Sequence, residues 1–192
     1  IPPSDLADEH WIVEPVSCVV TGLDHCRLRP GDRVAVVGAG FMGLLLLQGL
    51  LRAPLGGLVA VDVVEARLER ARSFGVAATV NAAGIEPEAL AGGLRAQPWD
   101  VVVDTSGTQA GLDLATEIVR RGGLINLFGW IKGERATFDP TAWHGGGFTV
   151  VNSSPASRLR DPFPPAITLI EQGVFDLRPL VTHVAPLADY PA

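Results

Sequence analysis

The chain has 192 residues, a net charge of −6, 47% hydrophobic residues and 19% charged ones. That length allows one domain with a sizeable core, and the acidic balance speaks against nucleic acid or an anionic membrane as a partner. No apolar run reaches the roughly 18 residues needed to span a bilayer, and two cysteines, Cys18 and Cys26, make neither a disulfide framework nor a zinc knuckle; they fit a reduced, cytoplasmic setting.

Residues 1–32 read as a lead-in: Trp11 to Leu23 predicts a mostly apolar helix, with Pro15 tolerable near its first turn. Pro30-Gly31-Asp32 turns into a strand over 33–37. A helix over 41–53 is apolar nearly all round, so both of its faces are expected to be buried. A strand over 58–62, an amphipathic helix over 65–74, a short strand over 77–81 and a helix over 86–95 follow. A strand over 100–103 leads to the polar turn Asp104-Thr105-Ser106-Gly107, then a helix over 112–121 stops at Gly122-Gly123. Strands over 124–128 and 148–151, a helix over 164–172 and a last strand over 180–184 complete the pattern.

The order Arg33-Val34-Ala35-Val36-Val37, Gly38-Ala39-Gly40-Phe41-Met42-Gly43, a helical run, then Leu58-Val59-Ala60-Val61-Asp62 is what a dinucleotide-binding β-α-β unit requires. Gly38 permits the tight turn, Gly40 leaves the backbone open to a pyrophosphate, and Gly43 lets helix and strand pack closely. The helix N-terminus offers free N–H groups and a positive dipole end. Asp62 follows Gly43 by 19 residues. A carboxylate there can accept both hydroxyls of an adenine ribose and would repel a 2′-phosphate, so the reading is NAD rather than NADP.

Alternating strands and helices predict an α/β fold, a doubly wound parallel sheet (Rossmann fold) of about six strands with helices on both faces. Ligands of such sheets sit at the carboxyl ends of the strands. Those ends carry 38–43, 62–67, 104–107, 128–130 and 152–154, rich in glycine, hydroxyl and amide residues, though turns favour these residues anyway.

The ordered set of motifs resembles the cofactor-binding domain of the medium-chain zinc-dependent alcohol/polyol dehydrogenase family across nearly the whole chain. The resemblance rests on Glu14-Pro15, Pro30-Gly31-Asp32-Arg33-Val34, the glycine turn 38–43, Asp62 with Arg67-Leu68 and Ala71, and Phe74-Gly75-Val76. It continues through Asp100 to Gly107, Gly122-Gly123, Phe128-Gly129 and Pro179 to His183. It implies that Gly38, Gly40, Phe41, Met42 and Gly43 hold the pyrophosphate, Asp62 the adenosine ribose, and that Arg67 lies beside the adenine. Thr105, Ser106 and Gly107 would border the cofactor, and Phe128, Gly129, Asn152 and Ser153 the nicotinamide. Trp130, Trp143 and Asn152 resemble a polyol- or threonine-dehydrogenase-like branch.

The family's zinc ligands and proton relay come from an N-terminal catalytic domain that has no counterpart here. The chain begins Ile1-Pro2-Pro3, without a Met or signal-peptide pattern, and stops at Pro191-Ala192. Charged residues fall below the usual share of about 25%. The expectation is a piece of a larger protein: 1–32 a connection from a missing catalytic domain, 33–184 the dinucleotide-binding domain, 185–192 the start of the return. Zinc in the intact parent would polarise a substrate alcohol, hydride would pass to the nicotinamide, and the fragment alone would turn nothing over. Homo-oligomers of this family often pair through the last strand, which makes 148–151 and 180–184 candidate edges.

The resemblance implies that Glu14 occupies the place where the polyol branch has an acid near or on the catalytic zinc, and Cys18 lies four residues later on the same helix face. The pair could share a metal, but three or four ligands are needed; the plainer reading of the residues is an ordinary helix acid beside a small buried thiol. His10, His25, His144 and His183 show no metal spacing and read as surface or packing residues. No Gly-x-Ser-x-Gly elbow marks a nucleophile. Three alternatives stay open from the sequence: an S-adenosylmethionine-dependent methyltransferase, a stand-alone NAD-sensing module, and a zinc-free reductase of the same family.

Overall fold

The computed structural model describes residues 5–130 and 135–189. Helix α1 (Val13–Cys26) leads into β1 (Arg33–Val37), α2 (Phe41–Leu50), β2 (Gly57–Asp62), α3 (Glu65–Ser73), β3 (Ala78–Asn81), α4 (Pro87–Arg95) and β4 (Trp99–Asp104). Then come α5 (Gln109–Ile118), β5 (Val119–Leu127), α6 (Pro140–Gly146), β6 (Thr149–Asn152) and α7 (Phe163–Glu171). The strands form one sheet in the order β3-β2-β1-β4-β5-β6, and every pairing is parallel. This is the expected doubly wound Rossmann architecture.

The strand sequences explain why both faces are covered. Val34 and Val36 point into a core shared with α1, α2, α3 and α7, while Ala35 and Val37 point into a second core beneath α4 and α5. Strands buried on both faces read as unbroken apolar runs, as β1, β2 and β4 do. Helix α2 buries Leu44, Leu45, Leu46, Leu47 and Leu50. Its one buried amide, Gln48, is satisfied by the backbone of Asp176, accepting its N–H at 2.6 Å and donating to its carbonyl at 3.1 Å.

Two expectations need correction. The strand expected over 180–184 is absent: Leu180 and Val181 both donate N–H to the Leu177 carbonyl, closing a turn, and 181–186 runs on without a strand beside it. Only 148–151 of the two proposed edges is therefore an edge, and β6 sits at one end of the sheet. The helix expected to reach Arg121 ends at Ile118. Val119 is instead captured by the sheet, opposite Trp99, and the register slips before Val101 pairs with Leu124; Gly122, with φ +69°, lets the chain bulge there. No strand pairs antiparallel among the described residues. Among the described residues no helix is long and apolar enough to cross a membrane.

Candidate functional site

A cleft of about 960 Å³ opens at the carboxyl ends of β1, β2 and β4. It lies where β1 meets β4 at the change of strand order, the usual ligand crevice of such sheets. Of the expected site residues, Gly38, Gly40, Asp62, Arg67, Thr105 and Ser106 line it.

The glycine turn is fixed from below. Gly38 has φ +99°, and a Cβ there would lie 2.8 Å from Thr105 Oγ1. A Cβ on Gly43 would collide with the Gly38 carbonyl, so helix α2 can start this close to β1 only with glycine at 43. Thr105 locks the arrangement, donating its N–H to the Val37 carbonyl at 2.8 Å and its hydroxyl to the Gly38 carbonyl at 2.6 Å. Gly40 differs: a Cβ built there meets nothing within 4 Å. Its missing side chain leaves space in the cleft rather than room for packing, and no side chain caps α2. The first N–H groups of α2 therefore remain available to an anion.

Asp62 is 7% exposed. Its Oδ2 accepts the Ala39 N–H at 2.6 Å and its Oδ1 the Val64 N–H at 2.8 Å. Arg67 stands 3.5 Å from Oδ2 with half of its side chain in solvent. Each carboxylate oxygen has two lone pairs, so both retain acceptor capacity toward hydroxyls in the cleft. Asp104, at the end of β4, is buried; burial pushes its carboxyl pKa up against the bonds from the Ser106 N–H and hydroxyl. It orders the 105–107 turn.

Other expected site residues lie apart from the lining of the cleft. Phe41 is partly exposed at the start of α2, and Met42 packs on the larger core. Gly107 abuts the Trp130 backbone, where a Cβ would sit 2.6 Å from the carbonyl oxygen. The Phe128 ring lies against Gly22 of α1, and the Gly129 N–H is donated to the Asp104 carbonyl at 2.7 Å. Asn152 is exposed at the end of β6. Ser153 turns inward: its hydroxyl donates to Asn126 Oδ1 at 2.7 Å and stands 3.1 Å from His25 Nδ1.

Glu14 is exposed on α1 and accepts a bond from the Cys18 thiol at 3.3 Å, so the two residues do meet as their spacing predicts. Burial, and then Glu14 itself, push the Cys18 thiol pKa up to about 11. Among the described residues no three His, Cys, Asp or Glu side chains converge on a possible metal position. The Glu14–Cys18 pair supplies two donors, fewer than the three or four protein ligands of a zinc site.

Sequence reasoning missed the cleft's apolar walls, Val61, Val63, Ala82, Ile85, Leu90 and Leu114. Their only signal was hydrophobicity, which also marks core. It also missed the rim ion pair between Arg95 and Glu117 at 2.7 Å, which joins α4 to α5.

Residues 42–172 match the zinc-binding dehydrogenase family. D-arabinitol dehydrogenase 1 of Uromyces fabae is 31% identical over 98% of this chain and 55% of its own length. Alcohol dehydrogenase TADH from Thermus sp. ATN1 superposes with a TM-score of 0.78 at 28% identity, covering 94% of this chain and 52% of that one. L-idonate 5-dehydrogenase from Escherichia coli superposes with a TM-score of 0.80 at 22% identity over 94% of this chain and 51% of that one, a likeness of fold. The chain spans about half the length of the curated relatives it matches. With the glycine turn, the parallel sheet and the matched span in agreement, the chain belongs to the zinc-binding dehydrogenase family.

Proposed function

We propose that this chain is the NAD(H)-binding domain of an oxidoreductase that moves hydride between a nicotinamide cofactor and an alcohol or polyol. The observation that carries the reading is the open cradle at Gly40, bounded by the uncapped start of α2 and by Asp62. A pyrophosphate fits against the turn 38–43, with Gly38, Gly40, Phe41, Met42 and Gly43 as its backbone seat. Asp62 receives the ribose hydroxyls, and Arg67 covers the adenine end. Thr105, Ser106 and Gly107 hold the middle of the cofactor, and backbone groups of Phe128, Gly129, Asn152 and Ser153 border the nicotinamide. When bound, the cofactor supplies the hydride acceptor or donor. The chain's own contribution is to fix which ring face meets the substrate and at what distance.

Residues 33–184 are proposed as the cofactor domain, with 1–32 and 185–192 as connections to a catalytic part. Zinc held by the whole protein would draw most of its ligands from outside these residues, with Glu14 as this chain's contribution. The cytoplasmic setting rests on the two unpaired thiols, Cys18 and Cys26. Homo-oligomerisation would use the open edge of β6.

Calorimetric titration with NADH, alongside S-adenosylmethionine, tests the reading. Heat from NADH alone supports it. Heat from S-adenosylmethionine alone, or from neither, contradicts it.

A further inference from the structure

We propose that the end of the sheet opposite the cofactor cleft carries a second site, which takes a single phosphate or phosphoryl group between Arg27, Arg29 and Arg120. A hollow of about 160 Å³ lies at the amino ends of β4, β5 and β6, closed by the turn that follows α1. Bulk water occupies roughly 30 Å³ per molecule, so the hollow holds a tetrahedral oxyanion with some water but not a nucleotide.

Three observations converge on an anion. First, Arg27 has φ +48° and is the one non-glycine residue with a left-handed backbone among the described residues. It caps the C-terminus of α1, a position where glycine is the usual choice because a Cβ is unfavourable there. Backbone strain retained where glycine would relieve it motivates a functional reading of the side chain.

Second, the charges are not balanced. Asp32 accepts the Arg29 backbone N–H at 2.8 Å. Asp100 accepts the Arg33 N–H at 2.8 Å and Arg120 Nε at 2.6 Å. Burial opposes ionisation of Asp100, yet these bonds hold its carboxyl below the usual carboxylate range. Both acids are therefore already engaged, while the guanidinium groups of Arg27 and Arg29 have no ion pair or hydrogen bond among the described residues. Three arginines against two acids leave a positive surplus on a chain whose net charge is −6.

Third, the thiol in the wall adds no negative charge to the two carboxylates and the carbonyl end of α1 that the arginines already offset. Cys26 lies buried in its wall, and burial pushes its thiol pKa up to about 11, so it stays uncharged. Planar guanidinium groups with five donors each suit the oxygens of a phosphoryl group better than they suit chloride.

The test is thermal unfolding of the whole chain in inorganic phosphate and, separately, in a sugar monophosphate, each against chloride at matched ionic strength. The chain should gain a saturable rise in Tm. A rise with inorganic phosphate identifies the free ion as a sufficient ligand, and a rise with the sugar phosphate alone identifies an esterified phosphoryl group. Arg27→Gly should raise the starting Tm by relieving the backbone and yet abolish the response, and Arg29→Ala should abolish the response without the gain. No rise in the parent chain would overturn the proposal. So would a rise that survives both substitutions, which would place the anion at the glycine turn 38–43. Arg27→Gly that lowers the starting Tm and leaves the response intact would show that Arg27 serves only the dipole of α1 and would also overturn it. NADH affinity should be unchanged in both variants, so this result stands apart from the cofactor reading.

Discussion

Asp62 Oδ2 and the Ala39 N–H are joined at 2.6 Å across 23 residues of sequence. The bond ties the tip of β2 to the middle of the glycine turn, so the acid proposed to receive the ribose also sets the shape of the proposed phosphate seat. Substituting Asp62 should therefore cost stability apart from any effect on the cofactor. Asp62→Ala strands the Ala39 and Val64 N–H groups, which costs about 1–3 kcal/mol of stability, measurable by urea unfolding. Asp62→Asn keeps an acceptor and should recover part of that stability.

Gly43 and Gly40 should respond oppositely to alanine. At Gly43 a Cβ meets the Gly38 carbonyl, and overpacking of this kind costs about 1–3 kcal/mol. At Gly40 nothing lies within 4 Å, so stability should stay within about 0.5 kcal/mol while NADH affinity falls about tenfold or more as the backbone seat is blocked. Paired unfolding and titration curves check both. Equal loss of stability at the two positions would contradict the assignment of the cradle.

Ser153 links elements that are far apart in sequence. Its hydroxyl joins Asn126 of β5 to His25 of α1, and Asn126 donates in turn to the Gly22 carbonyl at 3.0 Å. Asn126 is fully buried. Ser153→Ala should leave its Oδ1 without a donor and cost about 1–3 kcal/mol in urea unfolding. A change near zero would contradict the buried chain of bonds.

Cys18 should be slow toward thiol reagents. With its pKa raised from 9.0 to about 11, its thiolate share at pH 8 falls about a hundredfold, and only the thiolate attacks. The contribution of this group to stability is fully present below about pH 9 and is lost as pH climbs through about 11. Glu14→Gln removes a carboxylate that favours the neutral thiol, so modification of Cys18 should speed up. Slower modification in that variant would contradict the Glu14–Cys18 contact. Mass spectrometry of the labelled peptides separates Cys18 from buried Cys26.

The core of the fold was legible because its signals are local. Val34 to Val37, the glycine turn and Asp62 lie within one β-α-β unit, and each residue's role follows from its neighbours. The strand at 180–184 was misread because apolar residues in sequence do not reveal whether a sheet edge is available beside them. Val119 was misread for the reverse reason: its place opposite Trp99 overrides a helical pattern. Helix α6 went unread although Asp139 and Pro140 are a cap and a first-turn proline, with Asp139 accepting the Thr141 N–H at 2.8 Å. The inward turn of Ser153 could not be read at all, since its partner His25 lies 128 residues away.

The most direct test of the account is the ratio of NADH to NADPH affinity, measured by titration for the chain and for Asp62→Ala. A buried carboxylate facing a 2′-phosphate costs several kcal/mol, so NADH should bind at least about tenfold more tightly, and the preference should collapse in Asp62→Ala. Equal binding of the two cofactors by the parent chain, or a preference for NADPH, would contradict the placement of Asp62 at the ribose.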